Sequence, residues 1–514
     1  MAMAIVWSFF LPFTLFWIAW SWYYRFRRVF DGNTRRPPGP PPLPVIGNLL
    51  DMPTTNMGAH YAQLVEKYGD LVYLDAFGQP ILILGTHEIA VDLLDKRSSK
   101  YSDRAISPIV QLGGFDWVVV FIRYGPLWRR HRRAFHRFFN PNAVKQFRPI
   151  QRDHIGHFLT NLLSTPDDFS EHIRHLFTAT IMRITYGLNI AEEDEDYATI
   201  AEEALSAFSD LLVPGKYLVE LFPSLRKIPA WFPGAQFKRD AAEGKKAVYR
   251  IRDTPWERTL KLIREGTAEP SITTAMLDRI PTLPAQEASD EEELTKYITA
   301  AVYGGGADTT LATIHALFML MAKYPEVQEK AHAELDKVVG PNRLPDFSDE
   351  TALPYISAIA KECIRWHTVV PLGIPHKLTE DDEYRGYFIP KGTVVVANIW
   401  HYSHDERHYH NPHEFIPERF LKNGQLDPDV LDPKNFAFGY GRRICPGRHF
   451  AEGSLFLIAA SVLHTLSVSP PVDENGVPMD IDCGVVSGVI AYPEPFKCTI
   501  KPRASGKTPR ANYV

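Results

Sequence analysis

The sequence predicts a mainly α-helical protein with small β elements, built as one large domain behind a membrane-spanning segment. Three observations carry that prediction. Helical apolar periodicity dominates, from Ile150 to about Tyr249, from Asp290 to Lys323, from Tyr355 to His367 and from Phe450 to Leu463. Strand-like runs are few and short: Leu71 to Leu74, Ile81 to Leu84, Val394 to Ala397 and Val485 to Ala491. The first residues, from about Ala2 to Tyr24, are apolar and carry no charge.

Composition narrows the function. The chain has 514 residues and a net charge of −5 with mixed signs, which gives no nucleic-acid footprint. It shows no repeat and no convincing internal linker, so one large domain is expected despite its length. The four cysteines, Cys363, Cys445, Cys483 and Cys498, form no C-x-x-C pair. A zinc ribbon or redox dithiol is therefore excluded, and such sparse use fits a reducing, cytosol-facing domain.

The N-terminal segment is long enough to cross a hydrocarbon core of about 30 Å. Arg25, Arg27, Arg28, Arg35 and Arg36 follow it, and no basic residue precedes it. The positive-inside rule then puts the bulk of the chain in the cytosol. A cleaved signal peptide would want a charged start and a small-residue cleavage site, and neither is present. Residues 25–44, basic and then proline-rich (Pro37-Pro38-Gly39-Pro40-Pro41-Pro42-Leu43-Pro44), read as a stiff spacer. A helix over Tyr61 to Lys67 and a hairpin around Gly78-Gln79-Pro80 come next. The stretch from Arg104 to Tyr124 is irregular and aromatic, with Phe115 and Trp117.

Trp128 to Phe139 reads as a helix with two distinct faces. Trp128, Arg132, Phe135 and Phe139 share one, which offers an indole N–H and a guanidinium to carboxylates. Arg129, Arg130, Arg133 and Arg137 share another, a basic patch suited to steering an acidic electron donor. Exposed apolar residues between Val213 and Gly234, including Phe222 and Trp231, suit contact with a bilayer.

The long helix expected from Asp290 to Lys323 opens on Asp290-Glu291-Glu292-Glu293 and holds Gly304-Gly305-Gly306 in its middle. Each glycine costs a helix about 1 kcal/mol relative to alanine. Such a violation marks a place where something must lie close. Asp308 and Thr309, just beyond, supply an acid and a hydroxyl for proton delivery. The competing reading is a helix break, with Asp308 capping a second helix.

Cys445 sits in Asn435-Phe436-Ala437-Phe438-Gly439-Tyr440-Gly441-Arg442-Arg443-Ile444-Cys445-Pro446-Gly447, at the start of the helix holding Phe450 to Leu463. A helix start favours a thiolate over a thiol, and a thiolate is a soft metal ligand. Phe438, Gly441, Arg443, Cys445 and Gly447 stand at F-x-x-G-x-R-x-C-x-G. This pattern resembles the heme-binding loop of the cytochrome P-450 family of heme-thiolate monooxygenases. Gly305 to Thr310 resembles that family's oxygen-activation motif, and Trp128 with Arg132 resembles its propionate-binding helix. Glu362 with Arg365, and Arg419 within Pro417-Glu418-Arg419-Phe420, resemble its E-x-x-R and P-E-R-F elements. Glu171 and Arg174 match E-x-x-R too, and no role is assigned to them.

The resemblance implies a mainly α fold with small β-sheets: a single heme domain over residues 45–503, an anchor at 2–24 and a polar tail at 504–514. It implies heme b with Cys445 as the iron's axial ligand, and Arg443, Phe438, Gly441, Gly447, Trp128, Arg132 and His376 around the cofactor. Asp308 and Thr309 would manage protons, while Glu362, Arg365 and Arg419 would interlock for structure. Phe115, Trp117, Gly305, Val370, Leu372, Ile374 and Val489 would line the substrate pocket. Electrons would come from NADPH through a membrane-bound cytochrome P-450 reductase, with cytochrome b5 as a second donor. The chain looks like the fungal enzymes of secondary metabolism, held in the endoplasmic reticulum membrane and acting with O2 on an apolar small molecule. Two rivals stand beside this reading: a reductase-independent heme-thiolate isomerase or dehydratase, and a non-catalytic heme sensor or carrier.

Overall fold

The computed structural model describes residues 35–190, 196–213, 215–486 and 488–503. The expected anchor at 2–24, the spacer up to residue 34 and the tail at 504–514 lie outside the described residues. Among the described residues, no helix is long and apolar enough to cross a membrane. The chain forms two compact units, one ending at Ala105 and resuming over Leu372–His401, the other taking Ile106–Pro371 and the residues from Tyr402 onward.

The first unit is built on a five-stranded sheet. A helix, α1 (Met57–Tyr68), precedes the hairpin of β1 (Leu71–Ala76) and β2 (Gln79–Leu84). The hairpin turn is Phe77-Gly78, both residues at positive φ (51° and 84°), which matches the twist of the paired strands. β3 (Asp103–Arg104), β4 (His376–Lys377) and β5 (Val394–Ala397) complete the order β1-β2-β5-β4-β3. Only β2 and β5 run parallel. Val72, Leu74 and Ile83 share a core with Met57, Tyr61 and Val65 of α1. The proline stretch expected as a stiff spacer is tied to the sheet: Pro38 accepts a hydrogen bond from the Tyr73 backbone N–H (2.8 Å). A Cβ at Gly39 would lie 2.0 Å from the Tyr73 carbonyl oxygen, so only glycine fits there.

The second unit is organised by one helix. Its helices are α2 (Pro126–Phe139), α3 (Arg148–Ser164), α4 (Phe169–Tyr186), α5 (Tyr197–Leu211), α6 (Gln236–Glu265), α7 (Ala285–Lys323), α8 (Pro325–Val338), α9 (Pro354–Trp366) and α10 (Arg448–Thr465), with shorter turns between. α7 has 39 residues, about 58 Å at 1.5 Å per residue. Its second half, from Leu311 to Ala322, is apolar almost all round and is buried among α3, α4, α8, α9 and α10. Its first half gives Leu294, Ile298, Val302, Tyr303 and Ala307 to a second core with Phe135 of α2, Ile181 of α4, Ile251 of α6 and Phe450 of α10.

Two expectations change, and one competing reading falls. α7 begins at Ala285, with Pro284 before it, rather than at Asp290; the acidic run lies inside the helix, where Glu291 pairs with Arg130 (2.9 Å). The helix runs unbroken through its three glycines, so Asp308 caps nothing. The strand expected over Val485 to Ala491 shrinks to Val485–Val486, paired with Tyr492–Pro493, because the chain bends at 488–490.

Glu362 and Arg365 on α9 are fully buried. The Arg365 Nε and Nη2 donate to the two Glu362 oxygens at 2.7 Å each. Its remaining donors reach the carbonyls of Ser403 (2.7 Å), Pro412 (2.7 Å) and Glu414 (3.0 Å). Arg419 donates to Glu362 at 3.0 Å, and the Ile416 N–H does so at 2.9 Å. The expected interlock is thus present, with each charge paired. The sequence twin Glu171–Arg174 (2.8 Å) lies on the surface. Glu362→Ala would leave two guanidinium groups inside with no counter-charge, and is expected to cost about 3–5 kcal/mol of stability. Urea unfolding would read that loss as a lower midpoint, while Glu171→Ala should leave the midpoint unchanged.

Candidate active site

The cysteine loop is shaped by glycine and closed by backbone. Gly439 and Gly441 take φ of 76° and 53°, values that side chains rarely adopt. The Cys445 N–H donates to the Phe438 carbonyl at 2.8 Å, folding the loop back on itself. The N–H groups of Gly447 and Arg448, at the start of α10, reach the half-buried Cys445 sulfur. Arg448 also donates to the Cys445 carbonyl (3.2 Å). The expected thiolate is not established by this setting alone. Burial pushes the thiol above its ordinary value, and the Gly447 N–H, Arg132 and Arg448 only oppose that push. A cation on the sulfur would reverse the balance, since metal binding displaces the thiol proton.

α2 supplies the cationic side. Trp128 is buried, with the Arg443 guanidinium 4.6 Å above its ring and the Tyr124 ring 5.2 Å away. Arg443 donates to the Ile122 carbonyl (2.8 Å), and Arg442 to the Tyr124 hydroxyl. Arg132 is half-buried, close enough to feel the Cys445 sulfur, and makes no hydrogen bond or ion pair among the described residues. A desolvated guanidinium without a partner is costly, so a bound anion is the natural occupant of that space. On the opposite face Arg129, Arg133 and Arg137 are exposed. Arg130 departs from the expected free patch, because Glu291 of α7 holds it.

The three glycines of α7 serve different purposes. A Cβ at Gly306 would come within 2.6 Å of Ile181, so that glycine admits α4. A Cβ at Gly305 would meet nothing within 4 Å, and one at Gly304 only Ile251 at 3.6 Å. The helix therefore borders open space at Gly305. Thr309 Oγ1 donates to the Gly305 carbonyl at 2.9 Å. Asp308 is half-buried, and its carboxyl is pushed up to about 7 by burial; Glu202 adds to the push and Arg174 opposes it.

Cys445, Arg443, Phe438, Gly441, Gly447, Trp128, Arg132, Asp308, Thr309 and Gly305 all lie in the second unit. Phe450, just past the cysteine, and Ala307, just before Asp308, belong to one core. Phe115 and Trp117 are buried beside Phe121, Val248 and Ala300. Val370 and Val489 are half-buried in the same unit. Leu372 and His376 belong to the first unit. There Leu372 packs on the α1 core, and the buried His376 ring bonds the Tyr101 carbonyl through Nδ1 at 2.7 Å. Pairing with Val395 and Val394 places His376 and Lys377 in the sheet. Tyr124, Arg448 and Glu202 went unread in the sequence. Arg448 carried a usable signal, as the first helical residue after the cysteine loop, and the other two carried none.

A sulfur under two N–H groups, an unpartnered guanidinium beside it and an open glycine face fit a flat, anionic metal macrocycle. The sequence model of the cytochrome P-450 family matches residues 37–499. The chain is 42% identical over 469 residues to the cytochrome P-450 monooxygenase COX2 of Coprinopsis cinerea, covering 91% of this chain and 89% of that one. It is 41% identical to the tryptamine 4-monooxygenase of Psilocybe cyanescens, covering 94% and 95% of the two chains. It is 39% identical to the cytochrome P-450 monooxygenase claR of Ampulloclitocybe clavipes, covering 91% and 87%. These matches span nearly the whole of the described chain, and with them the protein belongs to the cytochrome P-450 family and is a monooxygenase, an oxidoreductase by class.

Proposed function

We propose that this protein inserts one oxygen atom from O2 into an apolar small molecule of fungal secondary metabolism, with heme b held by Cys445. The observation that carries the reading is the meeting of Cys445, Arg132 and the open Gly305 face in one unit. Cys445 would hold the iron through sulfur, and Arg132 and Trp128 would face the carboxylates of the macrocycle. Phe438, Gly441, Arg443 and Gly447 would shape the loop beneath it. When bound, heme would supply O2 activation, which an electron-rich thiolate favours.

The chain's own residues would manage the protons. Asp308, with its carboxyl near 7, keeps at neutral pH a share of the proton that an ordinary carboxylate has lost. Thr309 carries the next hydroxyl, resting on the Gly305 carbonyl from which it can turn. Electrons would come from NADPH by way of a reductase docking on Arg129, Arg133 and Arg137, with cytochrome b5 as a second donor. An indole, terpenoid or polyketide fits the apolar pocket wall, and the relative named for tryptamine favours an indole among them.

The placement we propose is the endoplasmic reticulum membrane, with the anchor at 2–24 and a heme domain over 45–503 on the cytosolic side. Leu218, Phe222, Trp231 and Phe232 support a second bilayer contact. They are 63%, 42%, 79% and 46% exposed, far more than such side chains usually are.

Three measurements test the reading. Cys445→Ser should abolish the red-shifted Soret band of the reduced carbon-monoxide complex; a retained band would sink the assignment. Asp308 is raised from 3.8 to about 7, so the folded state keeps a proton that the unfolded chain releases. The stability it lends is whole below pH 4 and is lost as pH rises through 7, at about 1.4 kcal/mol per pH unit at most. Stability curves should therefore show the parent weakening relative to Asp308→Asn between pH 4 and pH 7, and running parallel above. Finally, replacing Phe222 and Trp231 by Ser in an anchor-deleted chain should weaken its binding to liposomes.

A further inference from the structure

We propose that the stretch over residues 213–240 reads lipid charge: its uncommitted basic side chains, Arg226, Lys227 and Lys238, select a bilayer surface rich in anionic phospholipid. The inference deepens the second bilayer contact proposed above, and rests on it.

The stretch has two sides. Tyr217, Val219, Ala235 and Phe237 belong to the core that holds Phe115 and Val248. Leu218, Phe222, Trp231 and Phe232 are exposed, and the last two rings meet edge-on at 6.1 Å. Its charge is as lopsided as its burial. Lys216, Arg226, Lys227, Lys238 and Arg239 stand against only Glu220 and Asp240, in a chain whose net charge is −5. Both carboxylates are committed to neutral donors. Glu220 accepts from Ser107 Oγ at 2.9 Å, and Asp240 from the Tyr217 hydroxyl (3.1 Å) and the Gln236 amide (2.7 Å). Lys216 pairs with Asp210, and Arg239 donates to the Ala230 carbonyl (2.5 Å) and to Gln236 Oε1 (2.6 Å). The side chains of Arg226, Lys227 and Lys238 make no hydrogen bond or ion pair among the described residues. Further along α6 the pattern is different: Lys246 pairs with Glu243 (2.7 Å) and Arg250 with Glu203 (2.9 Å).

Charge complementarity names the occupant. The basic residues alternate with the exposed aromatics: Arg226 and Lys227 follow Phe222, and Lys238 and Arg239 follow Trp231 and Phe232. The Arg239 bond to the Ala230 carbonyl holds one of these guanidinium groups beside Trp231. An acidic protein would pair the cations but offers no hydrocarbon depth to an indole that is 79% exposed. A neutral bilayer takes the aromatics and leaves the cations without counter-charge. An anionic bilayer does both, since surface binding adds apolar burial to attraction for anionic lipid. Long basic side chains keep their charge at the headgroups while their stems lie along apolar surface. Each one brought to an anionic surface strengthens the contact about fivefold. The cytosolic leaflet is the anionic one, which agrees with the placement proposed above.

Photolabelling tests this on the heme-loaded full chain in lipid discs that carry a phosphatidylcholine with a diazirine in its acyl chain. The label is read by mass spectrometry over residues 217–238 alone, which keeps the basic residues at 25–36 out of the result. Discs of phosphatidylcholine are compared with discs containing about 30% phosphatidylserine. The yield should be about fivefold or more higher in the anionic discs. Salt at about 0.5 M, which shortens screening to about 4 Å, should remove that difference. Replacing Arg226, Lys227 and Lys238 together by Gln should remove it at low salt. Equal labelling in the two discs overturns the charge selection and leaves the bilayer contact standing. No labelling in either overturns the contact, and the selection with it. A triple variant that keeps the difference overturns the assignment to these side chains. Should that variant fail to fold, the salt response of the parent decides: a difference that survives salt overturns the proposal.

Discussion

A carboxylate and a guanidinium with no access to water are tolerated only when every lone pair and every N–H is used. Glu362 and Arg365 meet that condition, and in meeting it they fix the backbone far outside their own helix. Arg365 holds the carbonyls of Ser403, Pro412 and Glu414, while Glu362 holds Arg419 and the Ile416 N–H. The segment from 402 to 420 is thereby clamped on α9. Tyr402 and Tyr409 of that segment pack edge-on against Phe436, and the Tyr409 hydroxyl bonds the Leu431 carbonyl (2.7 Å). Phe436 accepts from the Gly439 N–H (3.0 Å), just ahead of the loop that Cys445 closes on the Phe438 carbonyl. The position of one sulfur is thus inherited, through aromatic rings and carbonyls, from a charge pair that does no chemistry.

α7 resolves a second conflict. A helix apolar on every side belongs in a core, and its second half lies in one. Its first half gives up side chains at three positions, against its own propensity. Packing compensates on both sides of the gap, through Val302 and Tyr303 before it and the Leu311 to Ala322 run after it. The glycines are thus held helical by their neighbours, and the surface that Gly305 leaves bare is free to be used.

Much of this was legible from residues alone, because the signals were local. The β1–β2 hairpin, the two faces of α2 and the span of α9 follow from periodicity and turn chemistry. The parts that stayed hidden depend on partners distant in the chain. Glu171 and Glu362 carry the same four-residue pattern, and only burial separates a surface pair from the interlock. Arg130 looked like its neighbours until Glu291 arrived from α7. Gly305 and Gly306 are adjacent and identical in sequence, yet one faces Ile181 and the other faces space. The thiol of Cys445 was expected to ionise from the helix start, but desolvation is set by the whole fold around it.

The proline stretch carries a practical lesson for anyone trimming this enzyme. Pro38 and Gly39 are stitched to Tyr73 on β1, Asn48 bonds the Pro40 carbonyl at 2.9 Å, and the Arg35 carbonyl accepts from Phe388 at 2.7 Å. Leash and sheet are therefore one piece, and a cut made after the prolines would unravel the rim to which they are sewn. A shortened chain that keeps these bonds has to begin no later than Arg35.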